Sequence, residues 1–268
     1  MGEAESFFKS IENVPYHLVQ YKQFREKSLE LLIAFPSIEK PKACFLFIHG
    51  GGWRGETLAR LKPHALYAAR QGMVGVSLSY RLMDDQSETD VRDGLEDCID
   101  ALEFVRCECR KKYGEIRYIA IGDSAGAYYA ECLGCQKILD EIRKGVLRAD
   151  CVVDLNGIVD LTGKWEYGIR LKRTDTKPKR EIETSFSPLY QISKGDAPVL
   201  IVHGDMDKTV DISDARAYKK ALDKAGVPAD LYTLNGAAHA FILFDYRHSN
   251  DFVVKVIKFI FEYIAKKL

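Results

Sequence analysis

Short apolar runs alternate along the chain with longer stretches whose apolar residues recur every three or four positions. The runs at 17–22, 29–35, 44–49, 74–79, 117–122, 151–156, 199–203 and 230–234 predict eight strands. From residue 44 onward these runs are nearly continuous, as in CFLFIH, YIAIG and VLIVH. That is the pattern of parallel strands buried on both faces. The first two runs are closer together and more polar, and fit an antiparallel pair at a sheet edge. The stretches 58–70, 89–112, 125–144, 213–225 and 250–267 carry helical spacing. In the last, Val253, Val256, Ile257, Ile260 and Ile264 form one stripe, widened by Phe252, Phe259 and Tyr263. The alternation predicts an α/β fold, a mostly parallel eight-stranded sheet with helices on both faces.

No Gly-, Ser- or Pro-rich linker interrupts this order, so residues 1–268 read as a single domain. The segment 163–195 breaks the pattern. Between 164 and 180 it holds seven Lys or Arg against two acids, too polar for a core helix. A connection of this length is a candidate small lid or a solvated excursion.

Charge and cysteine content narrow the partners. The chain has 39 Lys or Arg and 39 Asp or Glu. A net charge of zero gives no bulk attraction for phosphates, so nucleic acid is not an expected partner. The apolar stretch 253–264 is broken by Lys255, Lys258 and Glu262, and no run reaches the ~18 residues of a membrane span. The opening MGEAESFFKS lacks the basic-then-apolar order of a secretory signal. Seven cysteines, an odd number at irregular spacing, point to a reducing, cytoplasmic setting. Cys132 and Cys135 sit in a helical pattern without a second pair, so no metal is expected. The apolar stripe of the last helix is a candidate homodimer surface.

The chemistry enters at strand ends. Gly122-Asp123-Ser124-Ala125-Gly126 follows an apolar run and opens a helical pattern. G-x-S-x-G at a strand-to-helix junction is a nucleophile elbow, in which the turn is so tight that side chains two residues either side of the Ser collide. Ser124 is therefore the candidate nucleophile. His49-Gly50-Gly51-Gly52-Trp53 ends the run CFLFIH, and its glycines leave backbone N–H groups unobstructed. Gly51 and Gly52, with Ala125, are the candidate oxyanion donors. Trp53 and Asp123 are candidate substrate contacts. The run 199–203 ends in HGDMDKTV, and the run 230–234 is followed by NGAAHAF. His239 lies among small residues that leave room for a substrate. The order Ser124, Asp207, His239 is that of an α/β-hydrolase triad, with Asp205 a rival for the acid.

HGGGW together with GDSAG resembles the hormone-sensitive-lipase-like branch of α/β-hydrolase esterases, over nearly the whole chain from Cys44. HGDMDKTV, AAHAF and Ser187-Pro188-Leu189 are more similar to small bacterial esterases grouped with acetyl-xylan and feruloyl esterases. The resemblance implies Ser124, Asp207 and His239 as the triad. Its H-G-x-x-D-x-x-V pattern puts the acid at Asp207, with Val210 in register. It also implies the oxyanion hole at Gly51, Gly52 and Ala125. One departure is Tyr80-Arg81-Leu82-Met83-Asp84-Asp85, where the family commonly has Tyr-Arg-Leu-Ala-Pro-Glu.

The implied activity is serine carboxylesterase action on small esters, without metal or organic cofactor. With only 163–195 available as a cover, short acyl groups are expected. An arylformamidase-like amide hydrolase and a non-catalytic hydrolase-fold binder are the competing readings. HGG-x-W also resembles the former, and the latter normally lacks a triad member.

Overall fold

A computed structural model describes residues 2–25, 27–84 and 88–267. Asp85, the last residue of the segment that departs from the family pattern, lies outside them, as do Met1 and Leu268 of the expected 1–268 domain.

All eight expected strands form. They are β1 (His17–Phe24), β2 (Lys27–Ala34), β3 (Ala43–Ile48), β4 (Val74–Leu78), β5 (Arg117–Asp123), β6 (Cys151–Leu155), β7 (Val199–Gly204) and β8 (Ala229–Leu234). They make one sheet in the order β1-β2-β4-β3-β5-β6-β7-β8. β1 pairs antiparallel with β2, and β2 antiparallel with β4. Every later pairing is parallel; β3 to β7 are the strands buried on both faces, whereas β8, at the sheet edge, buries no residue fully and departs from the expected pattern.

Alternation along each strand divides the core. Cys44, Leu46 and Ile48 of β3 face one layer, and Phe45 and Phe47 face the other. The first layer is covered by α3 (Val91–Tyr113), α4 (Ala125–Gly134), α5 (Gln136–Ile142) and α8 (Ile212–Ala225). The second is covered by α1 (Glu3–Ile11), α2 (Lys62–Arg70) and α9 (Asn250–Lys267). α9 buries its whole stripe, from Val253 through Ile264, against this chain's own sheet. The stripe offered as a candidate homodimer surface is therefore occupied from within.

Three elements differ from the expectation. α1 was not expected, yet it buries Phe7 and Ile11 against the α2 and α9 layer. The stretch 125–144 is two helices, because Cys135 turns to extended backbone (φ −106°, ψ 108°) after Gly134. A Cβ at Gly134 would lie 2.5 Å from Val152 Cγ2, so α4 presses on β6 there. The segment 163–195 holds a 3₁₀ turn at Glu166–Gly168 and two short α-helices, α6 (Lys179–Ser185) and α7 (Pro188–Gln191). Its residues dock on the N-terminal end of α3. Arg170 N–H donates to Asp90, Lys172 pairs with Asp93 at 2.6 Å, and Asp175 pairs with Arg92 at 2.6 Å. Ile169, Ile182, Phe186 and Ser187 are buried beneath.

Candidate active site

Four loops meet at the carboxyl ends of β3, β5, β7 and β8, the side of an open parallel sheet where sites form. The β5–α4 turn is the tightest. Ser124 has φ 55° and ψ −119°, a strained conformation for a residue with a side chain. Its N–H donates to Leu155 O at 2.9 Å. A Cβ at Gly122 would stand 2.1 Å from Gly126 O, and one at Gly126 would stand 2.1 Å from Ile48 O. Glycine at both positions lets α4 start against the ends of β3 and β5. Ser124 Oγ is lifted clear at the positive end of the helix.

The structure brings Ser124, His239 and Asp207 into one line. His239 Nε2 lies 2.9 Å from Ser124 Oγ, and His239 Nδ1 lies 2.7 Å from Asp207 Oδ2. A carboxylate only accepts, so Nδ1 carries the hydrogen and Nε2 faces the Ser hydroxyl with its lone pair. The Asp207 side chain is fully buried, and its Oδ1 accepts from Thr209 N at 2.8 Å and Val210 N at 3.0 Å. Burial pushes its pKa up, but His239 and these two N–H groups outweigh it, and the pKa lies below the usual value. Asp205 is elsewhere. Its Oδ1 accepts from Gly236 N at 2.7 Å, tying the two loops that carry Asp207 and His239.

The loop after β3 faces the elbow. Gly51 (φ 96°) and Gly52 (φ 60°) both take left-handed backbone. Gly51 O accepts from Arg54 N and Gly55 N, which curls the loop into a turn. His49 is buried and stacked on Tyr80 at 4.4 Å, and burial lowers its pKa to about 4, so it is neutral. Tyr80 O–H donates to His49 O at 2.8 Å, and Met83 N donates to Trp53 O at 2.7 Å. The segment that departs from the family pattern thus still braces this loop.

Two expected substrate contacts lie behind the site instead. Trp53 is 0% exposed, and its Nε1 donates to Ala125 O at 3.1 Å. It packs edge-on against Tyr128, Trp165 and Tyr167, so it fixes the glycine loop to α4 rather than facing a ligand. Asp123 is 2% exposed and accepts from Asn156 Nδ2 at 3.1 Å. Burial raises its pKa to about 6.

The sequence reading missed Tyr167 and Asn156. Tyr167 is partly exposed, and its hydroxyl lies 3.9 Å from where a Cβ on Gly52 would be. It stands beside the glycine loop because 163–195 folds back over Trp53. Asn156 ends the β6 run, and its one sequence signal is an Asn-Gly pair leaving a buried strand.

Comparison with known proteins adds family evidence. The family model described as BD-FAE matches residues 31–222. Esterase LipC of Mycobacterium tuberculosis is 24% identical over 227 residues, 77% of this chain and 55% of that protein. A protein of Oryza sativa subsp. japonica, described as a probable isoprenylcysteine alpha-carbonyl methylesterase, is 24% identical over 228 residues, 74% of this chain and 51% of that protein. The chain thus spans about half the length of the curated relatives it matches. Among solved structures, Thermogutta terrifontis esterase 2 phosphoramylated by tabun superposes with a TM-score of 0.81 at 25% identity, covering 95% of this chain and 96% of that one. The propionate-bound form of that esterase gives 0.79 at 26% identity, covering 95% of each chain.

Proposed function

The chain belongs to the BD-FAE family, esterases of the α/β-hydrolase type, and on that premise we propose that it hydrolyses short-acyl carboxylic esters through an acyl-enzyme on Ser124. The observation that carries the reading is the His239 ring held between Ser124 Oγ and Asp207 Oδ2, at 2.9 and 2.7 Å. Ser124 Oγ attacks the ester carbonyl carbon as His239 Nε2 takes its proton. Asp207 holds the ring in the required tautomer and stabilises the imidazolium. N–H groups of Gly51, Gly52 and Ala125 receive the carbonyl oxygen as it gains charge. His239 then gives its proton to the leaving alcohol. A water, activated by the same ring, frees the acid and restores Ser124.

Short acyl groups fit the surroundings. Trp53, Tyr128, Trp165 and Tyr167 fill the space beside the glycine loop, and Tyr167 stands over Gly52. The structural relative seen with bound propionate and butyrate is an esterase. Each methylene that finds apolar cover adds ~0.8 kcal/mol, so a shallow site gains for one or two and then stops. The test is kcat/KM for p-nitrophenyl acetate, butyrate, octanoate and palmitate. The expected maximum is at acetate or butyrate. A maximum at octanoate or beyond overturns the short-acyl reading, and no turnover of any of them overturns the esterase reading.

A further inference from the structure

Ser124 and His239 sit on loops after β5 and β8, and two strands, β6 and β7, stand between those in the sheet. Asp207 fixes the far side of the His239 ring. It does not set how far the ring stands from Ser124, which depends on the spacing of the two loops. Among the described residues, one side chain spans that spacing with hydrogen bonds to both loops. Asn156, at the end of β6, is fully buried and has φ 48°. Asn tolerates this left-handed backbone better than most side chains. Asp154 Oδ1 accepts from Gly157 N at 2.6 Å and closes the turn, and Asn156 N–H donates to Val202 O at 3.0 Å, fastening it to β7.

From that anchored turn the Asn156 amide reaches both loops. Its Oδ1 accepts from Ala240 N at 3.0 Å, and its Nδ2 donates to Asp123 Oδ1 at 3.1 Å. Ala240 N–H can only donate, which fixes the amide orientation and turns the NH2 toward Asp123. Asp123 immediately precedes Ser124, and Ala240 immediately follows His239. Ala240 is itself at φ 59°, a conformation that needs a partner to hold it.

We infer that Asn156 is a positioning residue that sets the Ser124–His239 separation by tying the peptide before the nucleophile to the peptide after the base. Its kinetic consequences rest on the esterase reading; the tie itself does not. Displacements of about 1 Å at reacting groups cost roughly 10²-fold in rate. Asn156→Ala therefore lowers kcat roughly 10- to 100-fold with KM within about twofold of wild type. Asn156→Asp keeps the shape and tests the tie by pH. Two facing carboxylates resist ionising together, so the pair shares a proton at low pH and keeps one donor and one acceptor. As pH rises the proton leaves and the pair repels. The groups facing it are His239, Asp207, Asp154 and Arg60.

The experiment measures p-nitrophenyl acetate kinetics from pH 6 to 9 for the wild type, Asn156→Ala and Asn156→Asp, together with hydrogen exchange at Ala240 N–H. The aspartate variant is expected to be near wild type at pH 6 and to fall toward the alanine variant by pH 9, while the wild type does not fall. A profile parallel to wild type overturns the inference, as does unchanged kcat in Asn156→Ala. Should the wild type turn over no ester, the esterase reading falls. The exchange rate still decides the tie, because Asn156→Ala is expected to lose Ala240 protection at least tenfold. Retained protection overturns it.

Discussion

Around the first half of α3 the structure packs charge densely. Arg81 alone meets Asp93, Glu96 and Asp97, Lys22 reaches Asp97 and Asp100, and Arg92 meets Asp90 and Asp175. At Ser124 the arrangement is sparse, with one side-chain partner at each His239 ring nitrogen, at 2.9 and 2.7 Å. A cleft of about 360 Å³ opens beside the dense network, and no member of the Ser124 line borders it. The contrast is one of redundancy. Burial works against the Arg81 charge, but Asp97 and Glu96 outweigh it and hold the guanidinium firmly protonated. A group held by many partners does not change state. A group asked to carry a proton back and forth needs a single contact on the side where the proton moves.

Breaking the sparse side has the largest expected effect. Ser124→Ala lowers kcat/KM for p-nitrophenyl acetate by roughly 10⁵–10⁶-fold. Its melting temperature stays within a few degrees of wild type, because one hydroxyl on a turn carries little packing. Asp207→Asn lowers kcat by about 10⁴-fold, since an amide cannot hold the tautomer or stabilise the imidazolium. On the dense side, Arg81→Met leaves turnover within about twofold but lowers unfolding free energy by about 3 kcal/mol. That is the low end for a broken buried pair, because Lys22 remains 2.7 Å from Asp97. Urea denaturation measures it. A variant that lost turnover and kept its stability would reverse the comparison. The smallest effect is at Asp205→Asn. Its contact is one exposed hydrogen bond to Gly236 N–H, and kcat changes no more than a few-fold.

The same contrast explains what the sequence made legible. The strands β3 to β7 could be read because each buries its own nearly continuous run, a local property, whereas the edge strands β1 and β8 bury no residue fully. The loops carrying Ser124, Gly51 and His239 could be read because tight turns and exposed N–H groups demand glycine and small residues at fixed offsets. α1 was missed because its two buried residues, Phe7 and Ile11, make half a stripe that gains meaning only against α2 and α9. The segment 163–195 read as a lid or a solvated excursion because its charges were counted without the α3 residues of opposite sign that they meet. Trp53 looked open to substrate because its motif ends at the site. Its indole turns back onto Ala125 O, which only the packed structure shows. Asn156 joins residues 33 and 84 positions away, a relation that no spacing pattern carries.

The close approach of β3 to the elbow has a consequence for proton uptake on unfolding. Burial raises the Asp123 carboxyl from its ordinary 3.8 to about 6 in the native protein, whereas burial lowers neighbouring His49 from its ordinary 6.5 to about 4. The raised carboxyl stabilises the native protein fully below 3.8, and that contribution is lost as pH rises through 6. The lowered histidine contributes fully above 6.5 and loses its share as pH falls toward 4. Between about 4 and 6 the unfolding chain releases a proton from one and captures a proton on the other, each worth about 1.4 kcal/mol per pH unit with opposite sign. The two act as an internal proton buffer for the folding equilibrium. Asp123→Asn removes one half of it. Over that window its unfolding free energy should fall with acid more steeply than wild type, by about 1.4 kcal/mol per pH unit.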